Sequence, residues 1–142
     1  YSKIINGRNP IVAHEYLGNS VENMEIFISD DIISSGESVL DIAYALKEKK
    51  AKKIYAYATY GLFTDGLEKF DKAYEDGYID GILGTNLTYR SPELLKREWF
   101  MEVDVSKYIA YFIAAINHDV SIGTVIDPHE KIHQLLQKYN QK

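Results

Sequence analysis

Two adjacent carboxylates, Asp30 and Asp31, stand two apolar residues ahead of a run of small residues, Ser34-Ser35-Gly36-Glu37-Ser38. Small side chains and free backbone N–H groups at the start of a helix suit the binding of phosphate. Carboxylates suit the other end of such a ligand, as acceptors for sugar hydroxyls or as donors to a magnesium ion. Ile32 and Ile33 separate the two clusters, so each can face a different end of one molecule. The local reading is a phosphorylated sugar held between the loop and the acidic pair. A plainer reading fits the same spacing: Asp-Asp often ends a strand, and Ser-x-Gly often caps a helix.

The order of the surrounding elements favours the first reading. The apolar run Ile26-Phe27-Ile28 predicts a strand over Met24 to Ser29, buried on both faces, that delivers the carboxylates into a loop. An amphipathic helix follows over Ser38 to Lys50, with Val39, Ile42, Ala43 and Leu46 at helical spacing. Further strands are expected at Ile11–Leu17, Lys53–Thr59, Gly81–Gly84 and Trp99–Val103. Helices are expected at Gly66–Asp76, at Ser91 onward with Pro92 in its first turn, at Ser106–Asn117 capped by Asp104 or Ser106, and at Pro128–Tyr139. Strands that alternate with helices imply a mainly parallel sheet flanked by helices, a three-layer α/β fold. Ligands of such sheets bind beyond the C-terminal ends of the strands, where the Asp30 loop, Thr59-Tyr60-Gly61 and Thr85-Asn86 all fall.

Composition bounds the function. The chain has 142 residues, 46% hydrophobic and 26% charged, which fits one soluble domain, residues 1–142, with residues 1–10 as an irregular arm. The net charge of −5 gives no footprint for nucleic acid, and an anionic ligand must be held by local groups. Without cysteine there is no disulfide or thiolate metal site. No apolar run has the length of a membrane span and no signal peptide is evident, so a cytoplasmic location is expected. His129 and His133 are spaced to form a metal pair on a helix, but with no third ligand evident they read as surface residues. His14 reads as structural. The tyrosines of Ile54-Tyr55-Ala56-Tyr57-Ala58-Thr59 read as sheet packing. The helix Ser106–Asn117 is apolar around much of its circumference, through Tyr108, Ile109, Tyr111, Phe112, Ile113 and Ile116. Such a helix is usually buried on more than one side, so the chain is expected to associate.

The stretch DDIISSGES from Asp30 to Ser38 resembles the phosphoribosyl-binding loop of type I phosphoribosyltransferase folds. Four more segments narrow the resemblance to ribose-phosphate pyrophosphokinase (phosphoribosyl pyrophosphate synthetase). They are Asn6 to Gly18, Lys52 to Phe70, Ile82 to Arg90 and Asn117 to Ile126, in the family's order. The resemblance covers the later part of the second of two similar domains, and the chain begins at Tyr1, so a C-terminal piece of a longer enzyme is expected.

The resemblance implies that the parent enzyme transfers diphosphate from ATP to ribose 5-phosphate with Mg2+, giving phosphoribosyl pyrophosphate and AMP. It implies Asp30 at the ribose and Ser34, Ser35, Gly36, Glu37 and Ser38 around the 5-phosphate. Asp31 is open between a sugar hydroxyl, a metal and an internal cap. The commonest family loop reads Asp-Thr-Gly/Ala-Gly-Thr, so Ser34 lacks an acid here and Glu37 brings one where glycine is usual. Glu37 is expected to point outward and to offer its N–H. Ser121, Gly123 and Thr124 fall in a segment that resembles the family's regulatory site between subunits; an ordinary helix-ending turn fits them too. A catalytic Lys/Arg loop is expected ahead of Tyr1, which Lys3 and Arg8 do not match, and the ATP site draws on another subunit. The isolated chain is thus expected to be inactive and its parent a homo-oligomer. The alternatives are a non-catalytic assembly or regulatory subunit of the same fold, or a phosphoribosyltransferase.

Overall fold

The computed structural model describes residues 18–123 and 127–140. The expected strand at Ile11–Leu17, the residue 1–10 arm, His14 and Thr124 lie outside the described residues. The chain divides into two compact units, Tyr1–Val103 and Asp104–Lys142.

In the first unit the described strands are β1 (Glu25–Ile33), β2 (Lys53–Gly61), β3 (Gly81–Thr85) and β4 (Phe100–Val103). They form one sheet in the order β1-β2-β3-β4, and every neighbouring pair is parallel. Helix α1 (Glu37–Glu48) joins β1 to β2, and α2 (Glu68–Glu75) joins β2 to β3. A single 3-10 turn, Leu94–Lys96, precedes β4. Ser91 Oγ accepts the Leu94 N–H at 3.1 Å, so the serine opens this turn. The expected α/β architecture with a parallel sheet is what forms.

One face of the sheet carries the core. Ile54, Ala56 and Ala58 of β2 and Ile82 of β3 are fully buried with Val39, Leu40, Ala43 and Leu46 of α1 and Phe70 and Ala73 of α2. Small alanines at the centre of β2 let the helices approach closely. Leu40 is buried beside Val39, Ala43 and Leu46, and Ile42 is half-buried against the same core. Phe63, Phe70, Trp99 and Phe100 form an aromatic cluster with ring centroids 5.0–6.2 Å apart. Trp99 is buried, and its Nε1–H donates to Asp71 at 2.7 Å while Arg97 pairs with the same carboxylate at 2.8 Å.

β1 departs from expectation in two ways. It is not buried on both faces: Phe27 is 58% exposed and stacks on Tyr57 at 6.4 Å. It also runs on to Ile33, so the acidic pair lies within the strand, with Asp30 opposite Ala58 and Ile32 opposite Tyr60. Ladder pairing with the long β2 extends it past the point where its apolar run stops.

The second unit contains α3 (Ser106–Asn117) and α4 (His129–Asn140). Helix α3 has the bounds its periodicity predicts, and Asp104 is the residue that opens it, accepting the Ser106 N–H at 2.8 Å. Ala115 is its one buried residue, while Ile113 and Ile116 are exposed in the single chain. Among the described residues no helix is long and apolar enough to cross a membrane.

Candidate functional site

Because the sheet is parallel, the C-terminal ends of β1, β2 and β3 lie along one edge, and the turns after Ile33, Gly61 and Thr85 emerge there together. The turn after β1 is built from Ser34, Ser35 and Gly36. The Ile33 carbonyl accepts the N–H groups of Leu62 (2.8 Å) and Phe63 (3.3 Å), tying this turn to the end of β2. Ser34 continues the tie: its carbonyl accepts the Thr64 N–H at 3.0 Å, and its hydroxyl meets the Thr64 hydroxyl at 3.2 Å.

Gly36 sets the turn into the helix. Its φ of 87° lies in the left-handed region that glycine adopts without strain. A Cβ there would also run into the Phe70 ring. Two independent constraints thus select glycine. The Gly36 carbonyl accepts the Leu40 N–H at 3.0 Å, the first bond of α1, and the Ser35 hydroxyl reaches the Glu37 N–H at 3.4 Å. Gly36 has no side chain to cap α1, so beyond the Glu37 N–H the first turn draws on no N-cap side chain, a setting that favours an anion. Glu37 and Ser34 are exposed, and Ser35 and Ser38 are half-buried.

The carboxylates occupy a different setting from the one their adjacency suggests. Consecutive strand residues point to opposite faces, and the alternating exposure of β1 follows that rule, with Asp30 half-buried and Asp31 exposed. Asp30 accepts the Asp31 N–H at 2.8 Å through one carboxylate oxygen. Among the described residues no group of three or more histidine, aspartate or glutamate side chains could hold a metal ion.

The third turn is braced by Thr85, a buried threonine at the end of β3. Its hydroxyl donates to the Thr59 carbonyl at 2.6 Å and accepts the Leu87 N–H at 3.2 Å. Arg90 pairs with Glu102 at 2.5 Å beside it. Thr64 is the residue of this edge that sequence reasoning missed. It is thirty positions from Ser34, and only its place after the β2 end reveals the contact. Through Asp65 it links to Lys69, whose Nζ lies 3.4 Å from the Asp65 carboxylate.

Ser121 and Gly123 lie in the second unit, beyond α3, where the Gly123 N–H donates to the Ser121 hydroxyl at 3.2 Å. His129 is engaged by Asp127, whose carboxylate meets its Nδ1 at 2.6 Å and accepts its backbone N–H at 3.0 Å.

A parallel sheet with small-residue turns at its C-terminal edge, the first opening directly into a helix, defines an α/β domain of the type I phosphoribosyltransferase kind. The chain belongs to the phosphoribosyl synthetase-associated family, since a family model described as "Phosphoribosyl synthetase-associated domain" matches residues 9–126. It is 28% identical over 125 residues to a ribose-phosphate pyrophosphokinase of Shewanella oneidensis, covering 86% of this chain and 39% of that protein. It is 37% identical over 81 residues to one of Thermococcus kodakarensis, covering 55% of this chain and 29% of the relative. The chain thus spans about two fifths or less of these relatives. The fold is similar to that of the phosphoribosylpyrophosphate synthetase from Mycobacterium smegmatis, with a TM-score of 0.63 at 18% identity over 72% of this chain and 33% of that one.

Proposed function

We propose that this chain is the ribose 5-phosphate-binding part of a ribose-phosphate diphosphokinase. The observation that carries the reading is the Gly36 turn: a left-handed glycine, packed on Phe70, that joins β1 to the uncapped start of α1. The 5-phosphate sits against Ser34, Ser35, Gly36, Glu37 and Ser38, taking N–H groups at the helix start and the serine hydroxyls. The ribose ring lies toward Asp30, whose second carboxylate oxygen accepts a hydrogen bond from a sugar hydroxyl.

In the parent reaction the ribose 1-hydroxyl attacks the β-phosphorus of ATP. The bond from that phosphorus to the α-phosphate bridge breaks, AMP leaves, and the hydroxyl proton is released. The role of this chain is positional: it fixes the sugar by its phosphate so that the 1-hydroxyl projects away from the loop. Mg2+ would neutralise the transferring diphosphate. Asp31, exposed and with Asp30 on the other side of the strand, suits one carboxylate given to an ion carried mainly by substrate oxygens. Lys69, the cation linked to this loop through Asp65 and Thr64, is already paired. We therefore read the 142-residue chain by itself as binding ribose 5-phosphate without turnover, the cationic clamp and ATP site belonging to other parts of a cytoplasmic homo-oligomeric enzyme.

Titration calorimetry with ribose 5-phosphate tests the reading. The chain should bind one equivalent, and Ser38→Asp, which sets a negative charge against the phosphate, should abolish the heat while the circular dichroism stays unchanged. Equal binding by the folded variant would refute the assignment.

A further inference from the structure

The family match ends at residue 126, and helix α4, His129–Asn140, lies wholly beyond it. Between α4 and α3 is a cleft of about 320 Å³ lined by Lys107, Tyr108, Tyr111, Lys131, Gln134, Leu135 and Lys138. That volume is at the lower end of the range for small-molecule sites. On α4 the lining positions 131, 134, 135 and 138 recur at helical spacing and form one face. On α3, positions 107, 108 and 111 do the same.

The charge of the cleft is unusual for this chain, whose net charge is −5. Lys107, Lys131 and Lys138 are the three lysines among the described residues of the second unit, and all of them line it. The acidic residues described in that unit, Asp104, Asp119, Asp127 and Glu130, do not. Among the described residues none of the three lysines has an ion-pair partner. Two of them rest on aromatic faces instead: the Lys131 Nζ lies 5.1 Å from the Tyr108 ring centre, and the Lys107 Nζ lies 5.6 Å from that of Tyr111. A ring face attracts an ammonium but takes up no conventional acceptor site, so the N–H donors remain available. Three like charges around one cleft repel one another, and an anion with charge distributed over several oxygens relieves that repulsion.

We propose that the α3–α4 cleft is an anion site, separate from the β1–α1 loop, that takes an oligophosphate chain. Its chemistry matches three ammonium groups with the several anionic oxygens of such a chain, and Gln134 supplies a neutral donor. The proposal does not depend on the ribose 5-phosphate reading. It rests on a helix that the family match does not include.

Inorganic tripolyphosphate is the probe, titrated into the 142-residue chain at low salt. One-to-one saturable binding is expected, weakening as salt rises. Lys107→Gln, Lys131→Gln and Lys138→Gln should each weaken it by about tenfold, the weight of one charge-assisted contact. Lys131→Arg should retain it. Lys49→Gln with Lys72→Gln, a double loss of charge on exposed positions of α1's end and α2, should leave it unchanged. The same titration with a nucleoside triphosphate separates the two carriers of such a chain: binding of either at these lysines supports the site. Absence of saturable binding by both, or equal weakening in the Lys49/Lys72 control, would overturn it. Circular dichroism of each variant separates loss of binding from loss of fold.

Discussion

The ring of Phe70 occupies the space that a Cβ on Gly36 would need, with the Cε2 and Cε1 atoms at 2.8 and 2.9 Å from that position. A fully buried aromatic on α2 thereby fixes the backbone of the turn that opens α1. Gly36→Ala should therefore destabilise the chain by about 2–4 kcal/mol, combining a left-handed non-glycine residue with overpacking. Phe70→Leu made together with it should cost less than the sum of the two single changes, because the smaller side chain makes room for the methyl. Urea unfolding of the four proteins measures this; strict additivity would show that the ring does not constrain the turn.

Thr85 joins two strand ends through one hydroxyl, donating to Thr59 and accepting from Leu87. Thr85→Val keeps the shape and leaves both backbone groups without that partner. A loss of about 1–3 kcal/mol in stability is expected. Faster amide exchange at Leu87 should accompany it, since the turn after β3 loses its brace.

Glu37 places a carboxylate at the start of α1, on the exposed side of the loop. If a phosphate occupies the loop, the charge acts on it through solvent, where the effect is modest and screened. Glu37→Gln should raise ribose 5-phosphate affinity by about twofold to fivefold at low salt, and the gain should shrink at high salt. Weaker binding by the variant would mean that the carboxylate serves the site rather than opposing it.

Asp127 opens α4, and the His129 backbone N–H and then its side chain hold the carboxyl below its ordinary pKa of 3.8. A depressed folded value means that the carboxylate supports the helix start above the unfolded value and loses this role as pH falls through the folded one. The Asp127 carboxyl carbon, followed by NMR, should titrate below the ordinary aspartate value. The His129 amide shift should follow the same midpoint. Asp127→Asn should remove that transition from the His129 amide.

The local sequence determined the alternation of strands with helices, the bounds of α3 and the glycine turn before α1, because periodicity and backbone preference act over a few residues. It also placed Thr85 and Gly61 at strand ends. Only the tertiary structure decided that β1 continues through Asp30 and Asp31, since that depends on register with a β2 strand more than twenty positions away. The same pairing sends the two carboxylates to opposite sides of the strand, where their adjacency in sequence suggested a joint site. The Ser34–Thr64 contact, the Phe70 ring under Gly36 and the convergence of Lys107 with Lys131 and Lys138 are likewise set by packing between distant segments. No local pattern encodes such contacts, because the energy that selects them comes from surfaces that meet only once the chain has folded.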